Sequence, residues 1–353
     1  MQLRADAPLV WETALRRLPK ELIFQECGFV MRQHAEPLAK VIVAVIFFIV
    51  AGSVVDRLVF SPSRFFRLHE AAKKGDIQAV QERLLNGDDI NEHYIWDGYT
   101  PLHYAALFGR KDVIKLLLAN HAEINPGRWS DDWGVRPLHL AVINGDESVV
   151  ALLLAGHADV DARDGAAADN TPLHYAAYLG RKVIAGLLLA HGAHVDAANS
   201  SGQTPLFCEK PPEIEEIQDI LEKDNPNARN DAQPSAEDYA GVVKLLLAAG
   251  ANANARDVSG HTPLHTAAMG DRREVIKLLL AAGASVNARD HFGYTPLHYA
   301  ALWDRREAVR LLTGSGADGS AKNEDGQTPM DLARSDEVKE VLREANPAAT
   351  APR

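Results

Sequence analysis

Cysteine is almost absent. The chain of 353 residues has two, Cys27 and Cys208. They lie far apart, on opposite sides of its one apolar run, and imply no disulfide framework. Positive charge is in deficit: 37 Lys and Arg stand against 48 Asp and Glu, for a net charge of −11. Residues 1–60 hold seven basic and six acidic side chains, so the rest carries −12. Gripping phosphates needs a basic face, so no nucleic-acid partner is expected. Long apolar runs are missing too. The best is Val41–Val55, 15 uncharged residues between Lys40 and Asp56. As a helix it covers roughly 23 Å, against a bilayer core of about 30 Å.

That run suits the core of a signal peptide. Arg32 and Lys40 precede it, and Ala51-Gly52-Ser53 offers a small-residue cleavage site. The competing reading is an uncleaved anchor. Arg57, Arg64, Arg67, Lys73 and Lys74 follow the run and would hold the following segment on the cytoplasmic side. Export (periplasmic in a bacterium) and anchoring both stay open, with membrane contact expected through residues 41–55. The expected division is 1–30, an N-terminal extension of uncertain status; 31–60, signal peptide or anchor; 65–346, a repeat array; and 347–353, a flexible tail.

Catalytic signatures are missing as well. His69-Glu70-Ala71-Ala72-Lys73 begins like a zinc-protease helix but lacks the second histidine. Gly314-Ser315-Gly316-Ala317-Asp318-Gly319 spells a dinucleotide fingerprint in the wrong context, after a helix rather than a strand. No serine sits in a nucleophile elbow. Cys208 has no positioned base nearby in sequence and reads as a buried, inert thiol inside a helix. The repeated Arg–Asp pairs read as solvated turn chemistry. No enzyme activity, cofactor or metal is expected.

What is present is repetition. Thr-Pro-Leu-His stands at 100–103, 171–174, 262–265 and 295–298, with weaker copies from Arg136, Thr204 and Thr328 and a degenerate one from Phe66. A period near 33 residues means a stack of like units, not one globular core. In residues 262–294, Thr262 should cap a first helix with Pro263 in its first turn. Leu264, Ala267 and Ala268 would face a neighbour, and Gly270 should end the helix in a left-handed conformation. Val275, Ile276 and Leu278 to Leu280 drive a second helix, which Gly283 ends. Neither helix buries enough alone, so stacked neighbours must complete each core.

These phrases, the glycines at 109, 145, 180 and 270, the Leu-Leu-Leu runs at 116–118, 152–154, 187–189, 245–247 and 278–280, and the recurring Ala-Arg-Asp resemble the ankyrin-repeat family. The resemblance implies an all-α solenoid of helix-turn-helix repeats with projecting β-hairpin fingers. It also implies a protein or peptide partner held by finger tips and the concave helical face. About nine units are expected, beginning near 66, 100, 136, 171, 204, 229, 262, 295 and 328. The 204–261 region is irregular: it is 58 residues long, 8 short of two periods. Pro211-Pro212 should break one helix, Glu213 to Lys223 should form another, and Ser235 should cap a brief one before Val242 to Ala248. The stack should bend, loosen or open a groove there.

Six of the 14 histidines hold the fourth place of the phrase: His69, His103, His139, His174, His265 and His298. Each imidazole should join its threonine region to a backbone carbonyl next door. They would lie on the order of 10 Å apart, too far to share a zinc ion. His121 and His157 replace a glycine and should be left-handed. The binding candidates are residues that the pattern leaves over. Tyr94, Trp96 and Tyr99 fall on the first finger, Trp129 and Trp133 on the second, with Ser130-Asp131-Asp132 between the tryptophans. His291, Phe292 and Tyr294 form a weaker echo. An inner rim runs through Phe108, Ile143, Tyr178, Met269 and Trp303, with acidic neighbours that favour a partly basic partner. The alternative is an accessory or inhibitor protein that engages an enzyme or small ligand near 207–240.

Overall fold

The structure, a computed structural model, describes residues 67–94, 97–127, 134–165, 168–208 and 235–345. All lie in the second of two compact units, 67–353. Fifteen α-helices follow one another: α1 Arg67–Lys74, α2 Ile77–Leu85, α3 Pro101–Leu107, α4 Lys111–Ala119, α5 Pro137–Asn144, α6 Glu147–Ala155, α7 Pro172–Tyr178, α8 Lys182–Ala190, α9 Ala236–Ala248, α10 Pro263–Met269, α11 Arg273–Ala281, α12 Pro296–Leu302, α13 Arg306–Gly314, α14 Pro329–Leu332 and α15 Asp336–Ala345. A 3₁₀ turn, Pro205–Phe207, stands between α8 and α9. Among the described residues no strand is formed.

The helices lie in two rows. The first packs α1, α3, α5, α7, the 3₁₀ turn, α10, α12 and α14 in succession; the second packs α2, α4, α6, α8, α9, α11, α13 and α15. First-row helices have at most eight residues, too few to persist alone in water. Their starts are fixed by the phrase: Thr100, Thr171, Thr262 and Thr295 are extended caps with proline next, and the histidine reaches back to the cap. Paired alanines, such as Ala105-Ala106 and Ala300-Ala301, are fully buried where rows close up. In each leucine run the middle side chain, such as Leu117, Leu188, Leu246 or Leu279, is wholly buried. Burying such a side chain contributes about 1.5–3 kcal/mol.

The turn between rows corrects one expectation. Gly270 is right-handed (φ −83°), and Asp271 takes the left-handed place with φ 51°. That place comes nine residues after the phrase begins, where Gly109, Gly145 and Gly180 stand and where Asp304 also has φ 58°. Gly270 is one residue too early, and aspartate tolerates this backbone better than most residues. His121 and His157 are left-handed as expected, with φ 64° and 66°.

The 204–261 region also departs from expectation. Its described residues supply one first-row element and one second-row helix, and α9 packs directly between α8 and α11. Among the described residues the stack thus has eight units rather than nine. Helix α9 is a single element of 13 residues, not a brief helix before a second one, and Ser235 caps it with a hydroxyl that accepts from Asp238 N at 3.2 Å. The expected break at Pro211-Pro212 and helix at 213–223 lie outside the described residues, as do residues 1–66 and 346–353.

Stitches between units run straight past this region. A side-chain oxygen at the base of each connection accepts the backbone N–H one unit on. Asn91 takes Glu123, Asn125 takes Asp159, Asp161 takes His194, Asp196 takes Asn252, Asn254 takes Ser285 and Asn287 takes Asp318, at 2.8–3.0 Å. A second ladder joins the tips: Ser200 N donates to Ala168 O, Val258 N to Ser201 O, His291 N to Ser259 O and Glu324 N to Phe292 O. Both ladders cross from 196–201 to 252–258 as they cross elsewhere, so the loosening expected there is not seen in them.

Candidate functional site

The surface that the fold offers is set by how its fingers are held. Each later tip closes on itself: Asp257 N bonds His261 O, Asp290 N bonds Tyr294 O and Asn323 N bonds Gln327 O at 2.9–3.0 Å. The first side chain of each turn fastens it from within. Asp290 Oδ1 accepts from Phe292 N and Tyr294 N at 2.9 and 2.8 Å, and its Oδ2 accepts from Tyr299 O–H at 2.8 Å. Asp164 is wholly buried and accepts from Asn170 N and Tyr175 O–H. These carboxylates are therefore not solvated, contrary to the sequence reading. A tyrosine after the phrase histidine supplies the donor that compensates for burial. Burial, then Asp290, pushes the Tyr299 hydroxyl well above its usual range. The arginines of the same triplets tie finger to finger. Arg163 Nη1 donates to Ala198 O (2.7 Å), Arg256 Nη1 to Arg289 O (2.8 Å) and Arg289 Nη2 to Lys322 O (2.7 Å).

The phrase histidines behave as the sequence suggests. In His103, Nδ1 accepts from Thr100 N at 3.1 Å while Nε2 bonds Val135 O at 3.0 Å. His174 and His265 repeat the pattern onto Gln203 O and Tyr294 O. Acceptance at one nitrogen and donation from the other require the neutral ring. Burial lowers His139 to about 3, and His174 and His265 to about 4. Among the described residues no group of three His, Cys, Asp or Glu could hold a metal ion. Cys208 is buried at 3% exposure, and burial raises its thiol to about 11. It sits in a left-handed conformation at the end of the 3₁₀ turn, not inside a helix.

The candidate contacts divide sharply. Trp96, Trp129 and Trp133 lie outside the described residues. Tyr99 does not stand on an open finger: it is 1% exposed and stacks on His103, ring centres 5.1 Å apart. Tyr94 is half-buried, edge-on to Tyr104. The N-terminal rim is also consumed by packing. Phe108, Ile143 and Tyr178 are 4, 5 and 8% exposed. Lys73 Nζ lies 5.4 Å from the centre of the Phe108 ring. Met269 is half-buried. Only Trp303 in this row is open, at 51%.

Open large apolar side chains are instead spread along the described array, at Ile77, Leu85, Val183, Val258, Phe292 and Trp303, and of these Phe292 lies at a groove. Phe292, the middle of the weaker echo, is 60% exposed. It lines a groove of about 360 Å³ with Tyr294, Tyr299, Leu302, Glu324 and Asp325. Trp303 follows Leu302 directly in the chain. Sequence reasoning named Phe292 and Tyr294 but missed Tyr299 and the acidic tip. The missing signal was the 32-residue offset that sets Phe292 beside Glu324.

Comparison with known proteins agrees with this architecture. A profile of three ankyrin repeats matches residues 68–164 and 234–323, and a single-repeat profile matches 168–200. Curated relatives match over short stretches. Serine/threonine-protein kinase 12 of Arabidopsis thaliana is 44% identical over 68 residues, 19% of this chain and 14% of that protein. Myotrophin of Xenopus tropicalis is 42% identical over 52 residues, 15% of this chain and 43% of that protein. The 2-5A-dependent ribonuclease of Mus musculus is 43% identical over 56 residues, 16% of this chain and 8% of that protein. The match spans less than half the length of each. With the profiles covering most of the chain and the phrase, double row and stitches all present, the protein belongs to the ankyrin-repeat family, whose members are scaffolds for protein–protein interaction.

Proposed function

We propose that the protein reversibly captures a segment of another protein, with the groove between the Phe292 and Glu324–Asp325 tips as its principal described contact. The observation that carries this reading is apolar surface that packing leaves unused at Phe292, which lines a concavity, with the exposed Trp303 following its Leu302 wall in the chain. Large exposed apolar side chains grouped on a soluble fold mark binding surfaces. The connections act as β-hairpin fingers whose tips present side chains to the partner. Trp96, Trp129 and Trp133 serve as further anchors on the first two fingers. The chain is tethered or exported through residues 41–55: among the described residues no helix is long and apolar enough to cross a membrane, and that segment lies outside them.

The test is proximity cross-linking in the native host with the full chain, followed by the Phe292→Ala/Trp303→Ala double variant and the Trp96/Trp129/Trp133 triple alanine variant. Loss of a specific cross-linked protein in the double variant supports the groove. A set of partners unchanged by both variants, with circular dichroism intact, overturns the assignment. N-terminal sequencing of the fractionated protein tests the tether: a start near Val54 means processing, and an intact N-terminus in membranes means anchoring.

A further inference from the structure

We infer that the groove receives a lysine or arginine side chain flanked by an apolar residue of the partner. This rests on the proposed role of the groove as a binding face. Its walls are the rings of Phe292, Tyr294 and Tyr299 with Leu302, and Glu324 and Asp325 complete the lining. The acidic tip is clamped beside the aromatic one, since Glu324 N donates to Phe292 O at 2.9 Å. Both carboxylates are exposed, and neither makes an ion pair among the described residues.

Arg289 and Lys322 stand near this tip, and neither forms an ion pair with Glu324 or Asp325 among the described residues. Arg289 donates to Lys322 O at 2.7 Å, and Lys322 lies near enough to Asp331 to help hold its carboxyl low, after the hydrogen bonds from Thr328. Aromatic side chains beside carboxylates that lack an ion pair favour a cation whose alkyl stem lies against the rings while its charge meets the acids. An acidic segment would face like charge, and a wholly apolar one would strip water from two unpaired carboxylates. The net charge of −11 steers approach the same way.

A random peptide library selected on the immobilised full chain tests this. Selected peptides are resynthesised with each lysine replaced by norleucine and each arginine by citrulline. Their affinities are measured by fluorescence anisotropy on the native protein, on Phe292→Ala and on Glu324→Gln/Asp325→Asn. The expected result is enrichment of Lys or Arg beside an apolar residue. Affinity should fall roughly ten-fold on neutralising either side, with little further loss when both are neutralised. Peptides lost in Phe292→Ala but indifferent to both neutralisations would leave the groove standing and overturn the cation. Peptides indifferent to every variant, or no enrichment at all, would overturn groove and cation together. The substituted residues are exposed, so the fold should survive, and circular dichroism checks that it does.

Discussion

Each phrase histidine is a bolt with two ends, and one unit shows what its loss leaves behind. In the unit from Thr204 the fourth place holds Phe207, and Thr204 Oγ1 is buried with no hydrogen-bond partner among the described residues. Thr171 Oγ1, by contrast, lies 2.9 Å from His174 Nδ1. Thr204→Val should therefore leave the urea midpoint unchanged or raise it, whereas Thr171→Val should cost about 0.5–1.5 kcal/mol. His139→Ala strands the cap and Asn170 O together and should cost about 1–3 kcal/mol in the same assay. His157 is exposed and left-handed, so His157→Gly should stabilise by about 1 kcal/mol. The histidine role was legible because one imidazole per period cannot serve one metal site. The buried aspartates were not: an acid beside an arginine looks solvated until the tyrosine of the following helix is placed over it. The displaced turn at Asp271 could have been found by counting nine from Thr262 rather than by looking for the nearest glycine.

Among elements, the connections rather than the helices carry the register. Asn254 holds two neighbouring groups: Ser285 N donates to its Oδ1 at 2.8 Å, and its Nδ2 donates to Gly283 O at 3.0 Å. Asn254→Ala should release the Ser285 amide, seen as faster hydrogen exchange there than at Asp318 N, whose own rung on Asn287 is intact. Helix pairs could be read from the sequence because phrase and leucine run alternate at fixed distance. The number of described units could not, because one helix pair and two shortened pairs leave similar letters over 204–261. What separates them is which side chain reaches which amide, here Asp196 to Asn252. The binding rim was misjudged for a related reason: position along a helix does not say whether neighbouring side chains cover it, and they cover Phe108 but not Trp303.

Across the whole molecule the histidines act in concert. His139, His174 and His265 titrate near 3 to 4 when folded, and burial lowers His298 as well. Unfolded, they take protons at about 6.5. Below that pH the unfolded chain binds more protons than the folded one, so stability falls as pH falls. It should be flat above about pH 7 and decline from 6.5 toward 4. Urea midpoints at pH 7.5 and 5.0 check this, and His139→Gln should shrink the difference. The groove at Phe292 was only faintly visible in sequence, since it depends on neighbours about a period away. Another consequence follows from the ladders that pass from Asp196 to Asn252 and from Ser201 to Val258. On either side of residues 209–234 the described units meet as they do elsewhere in the array. Foreign sequence, such as an epitope tag or a small reporter domain, can be spliced into that interval while the units before and after keep their partners. The same insertion made at Gly293, whose tip is pinned by Asp290, would cut a rung and unfasten its neighbour.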